Sequence, residues 1–508
     1  MFDDEKYGET ISHLELLVAK QTSFLGHSHP DTLASLQKLA SCYKETEDFE
    51  KAIPTYEDLI GKQTLTLGKT NDATLSSKCE LAYCFQNNGK KEKAIKICEE
   101  LIRDRTSILG ALHPDTLEVK HRYASCLIAK DLEKAISVFE ELVENRKSVL
   151  GPMDKDTLSS MHLYANCLYK KNEFQRAIAI CEEVVEKREK VLGPTHKKTI
   201  SSMYRLSQCF EKIKNFHRAI ACLKTIVEIT KSAKGELHEE TLKYRFDLGR
   251  NYYEKREKTA IPILKDVVEK QASLIGETHK DTVKSKYYLG KSFYDFGDSD
   301  NAILIFEDFL EKGNLMKNSN HPDTLDAIYM LARSHRGKLN MNRAKSLYKE
   351  LVDKRTMTLG ATHKDTLLAT SCLADCFRKN EEFNIAIPMY RDLIQKQYKS
   401  LGVMHAHTIS SQINVSYCLH KTGCYKEALF IDKDVAEKRE KALGPNDPQT
   451  LLSKYSLALS YKNNREFKKS SELITAVIAA QSSVLGKQHP DTIRSMNLFK
   501  TLRSQSYH

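Results

Sequence analysis

The sequence lacks a long apolar segment and a block of like charges. No run approaches the ~20 apolar residues of a membrane-spanning helix, and the first ten residues, MFDDEKYGET, have no apolar signal-peptide core. The net charge of +11 arises from 79 basic and 68 acidic residues spread along the chain. These features predict a soluble, cytoplasmic protein without a membrane span, with a mild preference for acidic partners and no nucleic-acid-binding tail.

Signatures of catalysis and metal binding are also missing. The chain has no phosphate-binding loop, no nucleotide-binding glycine fingerprint, no nucleophile elbow and no CxxC pair. We therefore predict that it is not an enzyme and has no catalytic, cofactor-binding or metal-binding residues. Nine histidines recur at one repeat position, but on different helix pairs, too far apart to converge on one ion. They are His29, His113, His196, His238, His279, His321, His363, His405 and His489.

One stretch, from Leu25 to Gly68, recurs in register to the end of the chain. We use the threonine of its HPDT element as the marker threonine, which returns every 42 residues except for two steps of 41. The marker threonines are Thr32, Thr74, Thr116, Thr157, Thr199, Thr241, Thr282, Thr324, Thr366, Thr408, Thr450 and Thr492. An internal repeat this regular predicts stacked structural repeats and a binding scaffold.

Each repeat contains two helical patterns, helix A and helix B. In the first repeat Leu33, Leu36 and Leu39 lie on one face of helix A, at the three-residue spacing of an amphipathic helix. We expect Asp31 to cap the start of helix A. Gly68 follows helix B, where glycine supplies the positive φ that ends many helices.

Small side chains recur at fixed positions of the repeat. One lies eight residues after the marker threonine, as at Ala40, and one lies in helix B, as at Ala52. Because helices approach to about 8–10 Å only where contact residues are small, these positions are predicted to be helix–helix contacts. Seven cysteines stand ten residues after the marker, and we interpret them as reduced, structural thiols. They are Cys42, Cys84, Cys126, Cys167, Cys209, Cys376 and Cys418.

The pattern of Leu39-Ala40, Tyr43, Ala52 and Tyr56 resembles the tetratricopeptide repeat. The 42-residue length and the LG-x-x-HPDTL junction are similar to the subtype of kinesin light chains. Similar repeats occur in nephrocystin-3-like proteins and in the tails of NACHT or NB-ARC signalling ATPases. The resemblance covers essentially the whole chain.

The resemblance implies an all-α fold, a right-handed superhelical α-solenoid of about eleven tetratricopeptide helix pairs. Residues 1–26 are predicted to form a partial repeat with helix B only, residues 27–486 eleven repeats, and residues 487–508 a C-terminal capping helix. Gly313 and Asn314 interrupt helix B of the seventh repeat, where we expect a hinge or local fraying.

In this family, helix A lines a concave groove. The register places the inward positions two, five, six, nine, twelve and thirteen residues after the marker threonine, and there arginine and tyrosine are frequent. Arginine pairs with carboxylates in bidentate fashion, and tyrosine offers a flat amphipathic surface. We therefore predict a groove for extended peptides with acidic residues and an aromatic or apolar anchor. The candidate peptide-binding residues are Arg205, Phe246, Arg250, Tyr253, Tyr287, Tyr288, Lys291, Tyr294, Tyr329, Arg333, Arg336 and Arg378.

Two functions follow from the resemblance. The first is a non-catalytic adaptor that binds protein or peptide partners, as kinesin light chains do. Those proteins also carry an N-terminal heptad coiled coil, and because this chain opens inside a repeat we do not expect association with a motor. The alternative is the ligand-sensing repeat arm of a larger NACHT or NB-ARC signalling ATPase. A solvated inner face without a particular ligand also remains open.

Overall fold

The computed structural model describes residues 2–313 and 322–505, within which the chain forms 24 α-helices and no strand. The chain divides into two compact units, unit 1 (residues 1–256) and unit 2 (residues 257–508). The helices of unit 1 are α1 (Phe2–Leu25), α2 (Pro30–Glu45), α3 (Phe49–Leu67), α4 (Asp72–Asn87), α5 (Lys91–Leu109), α6 (Pro114–Leu127), α7 (Leu132–Val149), α8 (Lys155–Lys170), α9 (Phe174–Leu192), α10 (Lys197–Lys212), α11 (Phe216–Lys234) and α12 (Glu239–Glu254). The helices of unit 2 are α13 (Ala260–Ile275), α14 (Lys280–Asp295), α15 (Ser299–Gly313), α16 (Pro322–Gly337), α17 (Met341–Leu359), α18 (Lys364–Lys379), α19 (Phe383–Ser400), α20 (Ala406–Lys421), α21 (Tyr425–Leu443), α22 (Pro448–Asn463), α23 (Phe467–Val484) and α24 (Pro490–Gln505).

Within each unit every helix packs against the next one along the chain. Helix A of one repeat also contacts helix A of the next, as between α8 and α10 in unit 1 and between α14 and α16 in unit 2. The predicted all-α fold of stacked helix pairs is therefore confirmed. Its right-handed superhelix and the boundaries 1–26, 27–486 and 487–508 stay predictions. Helix α15 continues to Gly313, and Asn314 lies outside the described residues.

The small side chains form the contact between the two helices of a repeat. Ala40 and Ala52 are fully buried, as are their counterparts Ala332 and Ala344 in unit 2. In the last repeat the serine at the helix B position, Ser470, donates a 2.7 Å hydrogen bond to the carbonyl of Ala458, its partner on helix A. These positions therefore hold the helices at close range, as the sequence predicted.

At eight junctions of the described residues the marker threonine closes the loop between repeats, whereas the buried hydroxyls of Thr157, Thr366 and Thr450 have no hydrogen-bond partner there. Thr32 is buried, and its Oγ1 donates a 3.0 Å hydrogen bond to the carbonyl of Gly26, six residues earlier. The glycine at this position has a positive φ, for example 96° at Gly68, which other residues adopt only with strain. The bond recurs at 2.9–3.0 Å from Thr74, Thr116, Thr199, Thr241, Thr282, Thr408 and Thr492. We call this threonine–glycine pair the junction clamp.

The helix A cap differs from the prediction. The residue that caps α2 is His29, whose Nδ1 accepts a 3.3 Å hydrogen bond from the backbone N–H of Asp31. Asp31 itself lies inside the first turn, where its charge still favours the positive end of the helix dipole. The expectation that Asp31 is the cap was therefore wrong. The junction histidines recur in this capping role at His113, His196, His238, His279, His363, His405 and His489.

Candidate functional site

The candidate site is the face of helix A that carries the inward positions defined by the sequence register. We call it the A-face. Most candidate residues on it are half-buried, with one side of each side chain against a neighbouring helix. In unit 1 they lie on α10 and α12, and in unit 2 on α14, α16 and α18.

In unit 1, Arg205 is held by amide groups and an aromatic ring. Its Nε donates a 2.6 Å hydrogen bond to Oδ1 of Asn166 on α8, and its Nη1 a 2.8 Å bond to Oε1 of Gln208. The guanidinium carbon lies 4.6 Å from the ring centroid of Tyr169. The donors of Arg205 therefore serve to join α10 to α8.

Arg250, on the next helix A, is held by carboxylates. Its two terminal nitrogens bind both oxygens of Glu211 on α10, at 2.5 and 2.7 Å, and one of them also lies 3.2 Å from Asp247. The hydroxyl of Tyr204 donates a 2.7 Å bond to the same Asp247, and burial together with this carboxylate raises the pKa of Tyr204. This bidentate pair already occupies the fork with which arginine recognises a peptide carboxylate.

The two aromatic candidates of unit 1 are core residues. Phe246 is 6% exposed and Tyr253 is 5% exposed. The structure thus places them in the packed interior of the chain, where they offer little surface to a ligand.

Unit 2 presents a more aromatic A-face. Tyr287 on α14 donates a 2.5 Å hydrogen bond to Oδ2 of Asp326 on α16, and burial and this carboxylate raise its pKa. Its ring meets that of Tyr288 edge to face, with centroids 5.6 Å apart. The ammonium of Lys291 lies 5.5 Å from the Tyr287 ring centroid and 5.8 Å from that of Tyr288. These contacts place the three side chains in one patch.

Arg333 lies over two tyrosines that belong to consecutive A helices. Its guanidinium carbon is 4.9 Å from the ring centroid of Tyr294 on α14 and 5.5 Å from that of Tyr329 on α16. Among residues 2–313 and 322–505, no carboxylate forms an ion pair with Arg333. Cation–π contacts of this kind fix the plane of a guanidinium while leaving its edge N–H groups unpaired.

The remaining two candidates differ from each other. Arg336 is half-buried and, within the described part of the chain, forms no ion pair. Arg378 on α18 instead contacts Oδ1 of Asp375 through Nε at 3.2 Å and through Nη2 at 3.1 Å. The same oxygen accepts a 2.6 Å hydrogen bond from Tyr390. Lys291, Arg333 and Arg378 therefore lie over tyrosine rings, Arg378 at 5.4 Å from the ring centroid of Tyr417, but Arg378 is also paired with a carboxylate.

A buried arginine at the repeat junction was missed by the sequence reasoning. Arg146, at the end of α7, donates at 2.8 Å to the carbonyl of Asp156 in the first turn of α8, and at 2.8 Å to Ser160 Oγ. Its other terminal nitrogen binds Glu118 of α6 at 2.8 Å. The position lies eleven residues before the marker threonine, and that fixed spacing of Arg or Gln was the available signal. We call it the junction position. It holds arginine or glutamine in ten of twelve cases, namely Gln21, Gln63, Arg105, Arg146, Arg188, Gln271, Arg355, Gln397, Arg439 and Gln481, and otherwise Thr230 and Gly313.

A buried His–Asp–Ser cluster in unit 2 was also missed. Nε2 of His420 lies 3.2 Å from Asp432 and 2.7 Å from the hydroxyl of Ser460, which itself hydrogen-bonds Asp432. Ser460 and Asp432 therefore both contact Nε2 of His420, whereas in a catalytic triad the serine and the aspartate contact different nitrogens of the histidine ring. Ser460 is also 0% exposed, so a substrate cannot reach it. The geometry fits a structural network.

The described part of the chain shows no group of three or more His, Cys, Asp or Glu side chains able to hold a metal ion. The junction histidines have an identified structural use, since Nδ1 accepts a backbone hydrogen bond at the start of helix A. Every cysteine of this part is a free thiol, and burial raises the pKa of Cys84 to about 11, which keeps it protonated. No helix among these residues is both long and apolar enough to cross a membrane.

Comparisons with known proteins bear on the fold. Models of the tetratricopeptide repeat match residues 33–61, 80–105, 156–232, 284–312 and 326–355. No curated protein matches the chain. Similar solved structures include a Podosopora anserina protein described as a kinesin light chain of nearly identical TPR-like repeats, with 24% identity over 41% of this chain and 98% of that one and a TM-score of 0.37. BtubC from P. vanneervenii is 15% identical over 46% of this chain and 93% of its own, with a TM-score of 0.38.

The family matches fall in both units, and each lies on helix pairs of the structure. Repeats of this kind are protein–protein interaction scaffolds and typically non-catalytic. The matches show that both units contain tetratricopeptide repeats, and the 42-residue marker spacing continues the same helix pair along the chain.

Proposed function

We propose that the chain is a cytoplasmic, non-catalytic adaptor whose A-face in unit 2 binds extended peptides carrying carboxylates and an aromatic or apolar anchor. The observation that carries the proposal is Arg333. Its guanidinium lies over the rings of Tyr294 and Tyr329, and no carboxylate of the described residues pairs with it.

The physical argument is preorganisation. An arginine that must be ordered on binding loses side-chain entropy, of about 0.5–1.5 kcal/mol for a side chain of this type. Arg333 is already in contact with two rings, and a guanidinium fork of this kind can bind a carboxylate in bidentate fashion. Tyr287 and Tyr288, under the ammonium of Lys291, supply the adjoining aromatic surface.

The unit 1 candidates contribute less in this proposal. Arg205 and Arg250 already donate to side chains of neighbouring A helices, so a peptide carboxylate would have to displace Asn166 or Glu211. In unit 2, Asp326 carries a negative charge on the A-face, but it accepts the hydrogen bond of Tyr287 and lies 3.4 Å from Arg355. Its charge is thereby partly compensated.

Fluorescence anisotropy with labelled peptides tests the proposal. The probe is an eight-residue peptide with three glutamates and one tryptophan, and its matched control carries glutamine in place of glutamate. We expect the variant Arg333→Ala/Arg336→Ala to bind the acidic probe at least about tenfold more weakly, because charge-assisted hydrogen bonds contribute about 1.5–3 kcal/mol each.

The control variant removes the same charge elsewhere in unit 2. Arg391→Ala/Lys396→Ala changes one exposed and one half-buried cation of α19, which pair with Glu427 and Asp392. This variant should bind the acidic probe like the unmodified protein. Equal losses in both variants would reduce the effect to net charge, and equal binding of the glutamate and glutamine probes would refute recognition of carboxylates.

A further inference from the structure

At four junction positions of the described residues, an arginine at the end of helix B bonds to the A helices on both sides and so joins three helices. Arg355, at the end of α17, is buried, and its Nη1 donates a 3.0 Å hydrogen bond to the carbonyl of Asp365 in the first turn of α18. Its Nη2 lies 3.4 Å from Oδ1 of Asp326 on α16. Arg105, Arg146, Arg188 and Arg439 donate in the same way to the carbonyl ten residues later, at 2.8–3.0 Å. Each of these junctions therefore has space for a guanidinium group and a backbone carbonyl that accepts its hydrogen bond.

The next junction of unit 2 has glutamine at this position, and the space is not filled. Gln397 is 2% exposed, and no hydrogen-bond partner contacts its Oε1. Glutamine is shorter than arginine, and a cavity of about 380 Å³ lies beside it. The cavity is lined by Lys364, Asp365, Leu368, Leu401, His407 and Ser410, among others.

The register shows that this cavity lies where the guanidinium of Arg355 lies one repeat earlier. Leu368 stands two residues after its marker threonine, as Asp326 does, and His407 stands one residue before, as Asp365 does. Both line the cavity. Gln271 and Gln481 at the junction position each accept a 2.7 Å hydrogen bond from a serine of the following helix A, whereas the Oε1 of Gln63, like that of Gln397, has no hydrogen-bond partner in the described part of the chain. Gln397 has no such partner because Ser411 donates to the carbonyl of His407.

We propose that this cavity binds a guanidinium group that comes from outside the chain. The Oε1 of Gln397 and the carbonyl of His407 are the acceptors, and Asp365 is the nearby carboxylate. Leu368 and Leu401 offer apolar surface for the alkyl stem of an arginine side chain, which packs on such surface while its head is hydrogen-bonded. A guanidinium is planar and weakly hydrated, so it loses less on leaving water than an ammonium does.

The cavity is open to a ligand. Leu368 is 40% exposed, and Lys364, His407 and Ser410 are also exposed, so the cavity is reachable from solvent. The charged and titratable groups that line it are Lys364, Asp365, His405 and His407. This site is independent of the acidic-peptide proposal, since that proposal uses Lys291, Arg333 and Arg336. Its guanidinium could come from a small molecule or from an arginine of a peptide.

Calorimetric titration of the full chain with N-acetyl-arginine amide tests the inference, with N-acetyl-lysine amide as the control ligand and urea as a control for denaturant-like effects. We expect saturable binding of the arginine compound with one site, at least tenfold tighter than binding of the lysine compound. Binding of an Ac-Gly-Arg-Gly amide tenfold tighter than the single residue would assign the ligand to a peptide, and equal affinity would assign it to a small molecule.

Three variants make the test specific. Gln397→Arg supplies the guanidinium from within the chain and should abolish binding, whereas Arg355→Gln should open a second site and raise the stoichiometry to two. Leu368→Asp, at an exposed position that folding tolerates, places a carboxylate where Asp326 lies and should strengthen binding at least threefold. Unchanged binding by Gln397→Arg and Leu368→Asp, or no saturable binding to the unmodified chain, would overturn the inference and leave the cavity to water alone.

Discussion

Arg250 in unit 1 and Arg333 in unit 2 occupy the same position of the repeat, nine residues after the marker threonine, but have different partners. The difference arises on helix A of the preceding repeat, twelve residues after its marker. This residue is Glu211 on α10 in the repeat before Arg250, and Tyr294 on α14 in the repeat before Arg333. Glutamate takes up both terminal nitrogens of Arg250, whereas tyrosine supports the plane of Arg333. Two carboxylates, Glu211 and Asp247, therefore hold Arg250, whereas the corresponding residues Tyr294 and Met330 leave Arg333 without an ion pair among the described residues.

Individual repeats also differ five residues after the marker, and each unit has aromatic residues at that position in some repeats. Unit 1 has His121 and His162 there, which hydrogen-bond the hydroxyls of Ser160 and Ser202 at 3.0 and 3.2 Å. Unit 2 has Tyr287 and Tyr329. Such differences lie on the A-face, while the alanines that hold helix A to helix B are common to both units. The repeat thus varies its polar layer without altering its helix-packing layer.

Acidification should produce the largest difference between the units. Burial, with a smaller contribution from nearby arginines, lowers the pKa of His121 to about 3 and that of His162 to about 4. Between these values and the ordinary 6.5 the unfolded chain binds more protons, so stability falls as the pH drops. We expect a loss of about 1–2 kcal/mol per histidine between pH 7 and pH 5, reduced for partial exposure.

Urea denaturation at the two pH values measures this effect. The variant His121→Gln/His162→Gln keeps a hydrogen-bonding group at each position but cannot titrate, so it should lose less stability on acidification than the unmodified chain. An equal loss in both proteins would show that these histidines do not carry the acid sensitivity of unit 1.

The shared packing layer should respond alike in both units. Ala177→Phe in unit 1 and Ala344→Phe in unit 2 each force a large ring into a fully buried contact, which we expect to cost about 1–3 kcal/mol. Thermal denaturation measures the effect, with Ala179→Phe on the exposed side of α9 as the control. A melting curve left unchanged by either buried substitution would contradict the assigned helix contacts.

Replacing Tyr294, the α14 residue that contacts Arg333, should give the smallest change in stability but a clear change in binding of the acidic peptide. In the variant Tyr294→Glu we expect the new carboxylate to pair with Arg333 as Glu211 pairs with Arg250. The free energy of unfolding should change by less than about 1 kcal/mol. Affinity for the acidic peptide should fall about tenfold or more, because the fork of Arg333 is then occupied. Tyr294→Gln, which removes the ring without adding charge, should weaken binding less. If both variants bind alike, ion pairing is not what separates the two arginines.

The packing layer could be predicted from the sequence, and the polar partners could not. Ala40 and Ala52 recur at one spacing, and close helix contact is a physical reason for a small side chain at every copy. The partner of an arginine depends on a single residue about one repeat away, such as Glu211 for Arg250, and no periodicity marks it. The cap was missed because Asp31 has the better general propensity, whereas His29 has the right backbone geometry.

The junction clamp has a consequence for how this chain can change in length. Each clamp is closed by a threonine and a glycine six residues apart, so it needs nothing from the rest of the molecule. Removing or inserting one whole 42-residue period leaves every remaining clamp intact and joins repeats that share the same small helix-packing residues. A gene encoding such a chain can therefore gain or lose binding surface in modular steps, each of which brings its own folded connection.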